Sequence, residues 1–99
     1  MPDTKARFGT GRILATPEAL QALQDAEVDP AILLTRHVTG DWGDLHEQDL
    51  LANEQALKDG SRILSSYTLA NDVTVWIITE ARMEDGHRAA TTLLLPDNY

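Results

Sequence analysis

The chain has 99 residues, 42% of them hydrophobic, with 16 acidic and 8 basic side chains, a formal net charge of −8 and no cysteine. That length admits one domain around one core, and without thiols neither disulfides nor thiolate zinc sites can form, which suits a reducing cytoplasm. The acidic balance disfavours direct nucleic-acid binding through a basic patch and adhesion to anionic lipid, whereas a partner protein with a basic surface is permitted.

The opening stretch MPDTKARFGTGR lacks the apolar segment of a signal peptide, and no apolar run approaches the roughly 18 residues that span a bilayer. We expect a soluble cytoplasmic protein with no membrane association. Residues 1–11 are polar and punctuated by Gly9 and Gly11, the pattern of a flexible N-terminal arm, which leaves 12–99 as a single domain. FGTGR (8–12) carries two glycines but neither follows a strand nor runs on into a lysine, so it falls short of a phosphate loop.

RILA (12–15) is a short apolar run that reads as an edge strand or as the lead into a helix. Thr16 then offers an N-cap hydroxyl, Pro17 suits the first helical position, and Glu18 suits the positive end of the dipole. Ala19, Leu20, Leu23 and Ala26 continue as a helical stripe, predicting a first helix over 17–26. Asp29-Pro30 repeats the punctuation, and the run fades at Gly40, predicting a second helix over 30–38. Asp44 with Glu47 three residues on has capping-box spacing, Leu50, Asn53, Ala56 and Leu57 form a stripe, and Gly60 suits a C′ position. The third helix is therefore expected over 45–59.

The last forty residues change character. RILSSYTL (62–69), VTVWIITE (73–80) and RAATTLLLP (88–96) are rich in β-branched, aromatic and leucine side chains, with turn residues between them. The middle run is apolar on both faces and is expected to be central. The fold class is α+β: three N-terminal helices packed on one face of a three- to four-stranded antiparallel β-meander.

RHVTGDWGDL (36–45) crowds a histidine, two glycines, two aspartates and a tryptophan between two helices. As structure it is a helix end, a turn, an aromatic plug and a cap. As chemistry it displays a histidine and carboxylates beside a stiff turn, which serves acid–base work or acidic docking. His37, His46 and His87 fall in no metal-ligand spacing, so neither a metal site nor a cofactor is expected. Ser65 and Ser66 have no nucleophile-elbow pattern around them. Thr79, Glu80, Arg82, Thr91 and Thr92 would come together if the last two strands pair across Met83 to His87.

Compact ribonucleases of the barnase and RelE type resemble this layout, with helices first and then an antiparallel sheet. That resemblance implies His37 as general acid or base, Arg62 or Arg82 stabilising phosphate charge, and Thr79 or Thr91 orienting substrate. A closer resemblance covers roughly 13–99, through LATPEAL, RHVTGDWGDL, GSRILSSYTL, VWIITEA and ATTLLLPDNY. This pattern looks like a family of short proteins carried on bacterial plasmids, integrative elements and phage-like regions, labelled plasmid-related or type I restriction subunit. The stretch MEDGHRA departs from it by being longer. The resemblance implies a mobile-element setting; no methylation motif or cofactor loop is present.

The leading expectation is a small non-enzymatic interaction protein that binds or inhibits a host nucleic-acid-processing defence complex, in an anti-restriction or anti-CRISPR manner. Its partner would be a host or element-encoded protein with a basic surface. Asp41, Asp44, Glu47, Asp49 and Glu54 would supply the carboxylates, with Trp42 as aromatic anchor.

Overall fold

The computed structural model describes residues 5–99, so the first four residues of the expected arm lie outside the described part. The elements run β1 (Arg12–Ala15), α1 (Pro17–Asp25), α2 (Pro30–Val38), α3 (Glu47–Asp59), β2 (Ile63–Thr68), β3 (Thr74–Thr79), β4 (Ala90–Leu94) and a 3-10 turn over Pro96–Asn98. Three helices and four strands make an α+β domain.

The helix boundaries follow local chemistry. Thr16 accepts from Ala19 N at 3.1 Å with Pro17 behind it, and Asp29 accepts from Ala31 N at 2.9 Å with Pro30 behind it. Gly60 ends α3 in the left-handed conformation at φ 83°. The start of α3 differs from expectation: it begins at Glu47, with His46 as a cap that makes no side-chain bond. Asp44 is engaged elsewhere, its carboxylate accepting from Thr68 N at 3.0 Å on β2.

The sheet order is β1-β4-β3-β2. β2, β3 and β4 pair antiparallel, but β1 lies parallel to β4, in the register Arg12 to Ala90 and Ala15 to Leu93. The sheet is therefore mixed, which corrects the expectation of an all-antiparallel meander. The physical reason is distance in the chain. No hairpin joins β1 to β4, so its direction is not set by a turn; it is held by bonds such as Thr16 N to Leu93 O at 2.9 Å.

The register puts Ile63, Ser65 and Tyr67 on one face with Val75, Ile77, Thr79, Thr91 and Leu93. Ala19, Leu23 and Leu33 from α1 and α2 join Tyr67, Val75, Ile77 and Leu93 in the main core cluster. Trp42, Ala56 and Ile63 form a second cluster, closed by Phe8, Leu45, Leu50 and Leu57. On the opposite face Trp76 meets the ring of Tyr99 edge-on at 6.0 Å, and Arg62 donates to the Tyr99 hydroxyl at 2.5 Å.

The described part of the expected arm is held against the domain. Arg7 N donates to Val38 O at 2.7 Å, its guanidinium pairs with Glu54 at 3.0 Å, and Thr10 O accepts from the Thr91 hydroxyl at 2.8 Å. Phe8 has entered an aromatic group with His37 and Trp42.

Candidate functional site

The segment around Trp42 is a cover for the outer edge of β2. Ser66 N donates to Trp42 O at 3.1 Å and Asp44 N donates to Ser66 O at 2.7 Å, so Gly43 makes a single parallel bridge to Ser66. Leu64, the next outward-facing residue, bonds through both its N–H and its C=O to the Asn53 amide, and Thr68 N is taken by Asp44. An uncapped strand edge would present these groups to any passing strand, and here five of them are occupied from one side. Gly43 is required for this approach. Its φ is 77°, and a Cβ at this position would fall on Ser66 O.

This geometry redistributes the expected docking residues. Trp42 is 4% exposed, and its indole Nε1 donates to Glu54 at 3.0 Å. It packs under Phe8 and beside Ile63, so it is a core plug rather than an anchor for a partner. Glu54 is half-buried, and Arg7 and Trp42 together hold its carboxyl below the usual carboxylate range. Asp41 pairs with Arg36 through two bonds of 2.7 and 3.2 Å, which lowers its pKa in the same sense. Asp41, Asp44, Glu47 and Asp49 are exposed, the last two on the first turn of α3 where the dipole favours them.

His37 lies on the same helical face as Leu33, four residues earlier, and both are buried. That spacing is the signal in the sequence that would have turned His37 inward. Its Nδ1 is 2.5 Å from the Ser65 hydroxyl and its Nε2 is 2.8 Å from that of Thr79, which is 2.7 Å from Thr91. The donor directions can be assigned from the far end. Thr91 gives its one hydroxyl proton to Thr10 O, so Thr79 donates to Thr91 and must accept from His37. His37 is then the neutral Nε2–H tautomer, and Ser65 donates to Nδ1. The chain Ser65, His37, Thr79, Thr91, Thr10 runs one way through the core, with every hydroxyl and both ring nitrogens satisfied.

Sequence reasoning brought His37, Thr79 and Thr91 together as a possible catalytic set, and the structure does juxtapose them. Each has no solvent exposure, and neither does Ser65. Burial, with the charge of Arg88 second, lowers the His37 pKa to about 4, so the ring is neutral near pH 7. Phe8 meets the ring edge-on at 5.1 Å and Trp42 at 5.9 Å, sealing it from above. These residues cannot touch a substrate, and Arg62 is on the opposite face beside Tyr99. The ribonuclease-like assignment of His37, Arg62, Thr79 and Thr91 is corrected accordingly: they do not form one accessible site. Arg82 also lies apart from His37, donating to Lys58 O at 2.8 Å beyond the end of β3.

Among the described residues no group of three His, Asp or Glu side chains is placed to hold a metal ion, and no helix is long and apolar enough to cross a membrane. Three roles are not legible in the sequence: that of Asn53 as an edge cap, of Phe8 as a lid, and of Ser65 as the partner of His37. No family model, curated protein or solved structure matches the chain.

Proposed function

We propose that this chain is a small acidic, non-enzymatic interaction protein of a mobile genetic element. It acts in the cytoplasm and binds or inhibits a host nucleic-acid-processing defence complex through a basic protein surface, in an anti-restriction or anti-CRISPR manner. The observation that carries this reading is the fate of the histidine–hydroxyl chain at His37. Its acid–base groups are spent on one another in the core, while Asp41, Asp44, Glu47 and Asp49 are displayed along nine residues of surface.

The stiffness of that surface also supports recognition. Gly43, the Asp44 carboxylate and the Asn53 amide are all locked onto β2, so the carboxylates sit on a backbone with little freedom to lose on binding. A net charge of −8 accelerates encounter with a basic partner and repels competing polyanions. The resemblance of RHVTGDWGDL and ATTLLLPDNY to mobile-element proteins supplies the setting.

The test is charge reversal at Glu47 and Asp49, which are exposed and make no bond to β2, unlike Asp44. Tagged wild-type chain captures a partner from host lysate, and the identified partner is then purified and titrated. Glu47→Lys with Asp49→Lys should weaken that complex at least tenfold, with unchanged circular dichroism and a steeper loss at high salt in the wild type. Equal affinity for both forms would remove this surface from consideration.

A further inference from the structure

A cavity of about 350 Å³ opens between the N-terminal segment, the end of α3 and the hairpin that joins β3 to β4. Three of the chain's eight Lys and Arg residues, Arg7, Arg82 and Arg88, line it, in a protein whose net charge is −8. Arg82 and Arg88 face each other across the hairpin as an antiparallel bridge, so two guanidinium groups are fixed as cross-strand neighbours. Like charges in that relation repel.

Neither has a carboxylate partner among the described residues, whose ion pairs are Arg7–Glu54, Arg36–Asp41 and His87–Asp85. Arg88 is 7% exposed, and it gives three hydrogen bonds, to Ser61 O, Glu80 O and Ala56 O. Arg82 gives one to Lys58 O. These carbonyls orient both side chains at the negative end of the α3 dipole, but they are neutral. Burial and the neighbouring Arg82 press the Arg88 pKa down, and Asp59, whose field opposes this, makes no ion pair with either arginine. Each guanidinium has five N–H groups, so both keep donors beyond the bonds named.

The opposing wall is the FGTGR stretch. The Phe8 ring lies 5.8 Å from the Arg88 guanidinium carbon, and a side chain at Gly9 would meet nothing within 4 Å, so the backbone there borders open space. Gly11 is pressed against the carbonyls of Arg88 and Ala89, closing the floor.

We infer that this cavity binds the phosphate group of a small molecule, between the oriented guanidiniums of Arg82 and Arg88 with Arg7 at the rim. Two preorganised guanidiniums that form no ion pair with a carboxylate among the described residues match a tetrahedral oxyanion, which accepts several charge-assisted bonds at once. The acidic remainder of the surface argues for a small ligand. A nucleic acid would need many phosphate contacts, and the carboxylates outside the cavity would repel it. A cavity of this size also falls in the range for compact metabolites.

The experiment is calorimetric titration of the full chain in chloride buffer, first with inorganic phosphate and then with a nucleoside monophosphate. The wild type should show saturable binding with Kd below about 1 mM. Tighter binding of the nucleotide identifies a nucleotide ligand, and equal binding identifies phosphate as the recognised unit. Arg82→Gln and Gly9→Asp should each weaken binding at least about tenfold, whereas Arg62→Gln on the far face should leave it unchanged. Gly9→Asp places a carboxylate at the mouth without a steric cost, so it decides the matter even if Arg82→Gln disturbs the hairpin. No saturable binding by the wild type, or binding that survives Gly9→Asp, would overturn the assignment.

Discussion

Asn53 stands beside Leu64 as a strand residue would: its amide nitrogen donates to Leu64 O at 2.6 Å and its amide oxygen accepts from Leu64 N at 3.1 Å. One side chain from α3 thereby completes the outer edge of β2 where the Trp42 segment stops. The helix is anchored to the sheet by the same two bonds.

Replacing Asn53 by Leu keeps the volume and removes both bonds. Two backbone groups of the partly buried Leu64 are then left without partners beside a side chain that was itself buried, costing about 2–4 kcal/mol. Urea denaturation should show that loss, and light scattering should show self-association through the opened edge. A variant as stable and as monodisperse as the wild type would mean that water replaces the amide without cost.

Gly43 and Gly86 separate close approach from backbone strain. Both have positive φ, 77° and 88°, but a Cβ at Gly43 would overlap Ser66 O whereas one at Gly86 would meet nothing within 4 Å. Gly86→Ala should cost only the left-handed penalty, about 1–2 kcal/mol. Gly43→Ala should cost clearly more, about 3 kcal/mol or above, because the bridge to β2 must break as well. Equal melting temperatures for the two variants would contradict the packing described at Trp42.

The folded His37 has its pKa lowered from 6.5 to about 4, chiefly by burial. The unfolded chain therefore binds a proton more readily than the folded one between those values, so stability rises with pH across that window. Acidification from pH 7 to pH 4 should remove on the order of 3 kcal/mol through this residue. Below about 4, loss of the depressed carboxylates Asp41 and Glu54 adds to the fall. His37→Gln should be less stable at pH 7 and show a flatter profile between 6.5 and 4. An unchanged slope would place the titration elsewhere.

The direction assigned to the buried hydroxyl chain has a spectroscopic signature. Long-range nitrogen–proton correlation at pH 7 should find His37 protonated at Nε2 and bare at Nδ1. Thr91→Val removes the group that receives the Thr79 proton, frees Thr79 to donate to Nε2, and should populate the other tautomer while costing roughly 1–2 kcal/mol. A wild-type ring protonated at Nδ1 would reverse the whole chain.

Features governed by neighbouring residues are legible in the sequence alone. Thr16-Pro17, Asp29-Pro30 and Gly60 mark helix ends because cap and first turn are a few residues apart, and the structure places those ends within a residue or two of expectation. The strand runs were legible for the same reason, through composition and turn residues. The role of Asp44 was not. Its carboxylate had two amide groups within reach, one in its own next helix and one on β2, and only the docking of the loop chose Thr68 N.

Local sequence, then, determined the three helices, the last three strands and the acidic balance, because capping, periodicity and charge are short-range or additive properties. Tertiary structure decided that β1 runs parallel to β4, that Trp42 plugs the core, that His37 is sealed between Ser65 and Thr79, and that three arginines share one cavity. Those outcomes depend on groups as far as 81 residues apart, as in the bond from Thr91 to Thr10 that ends the His37 hydroxyl chain. At such separations the competing partners differ by free energies that only the assembled core and its satisfied backbone groups resolve.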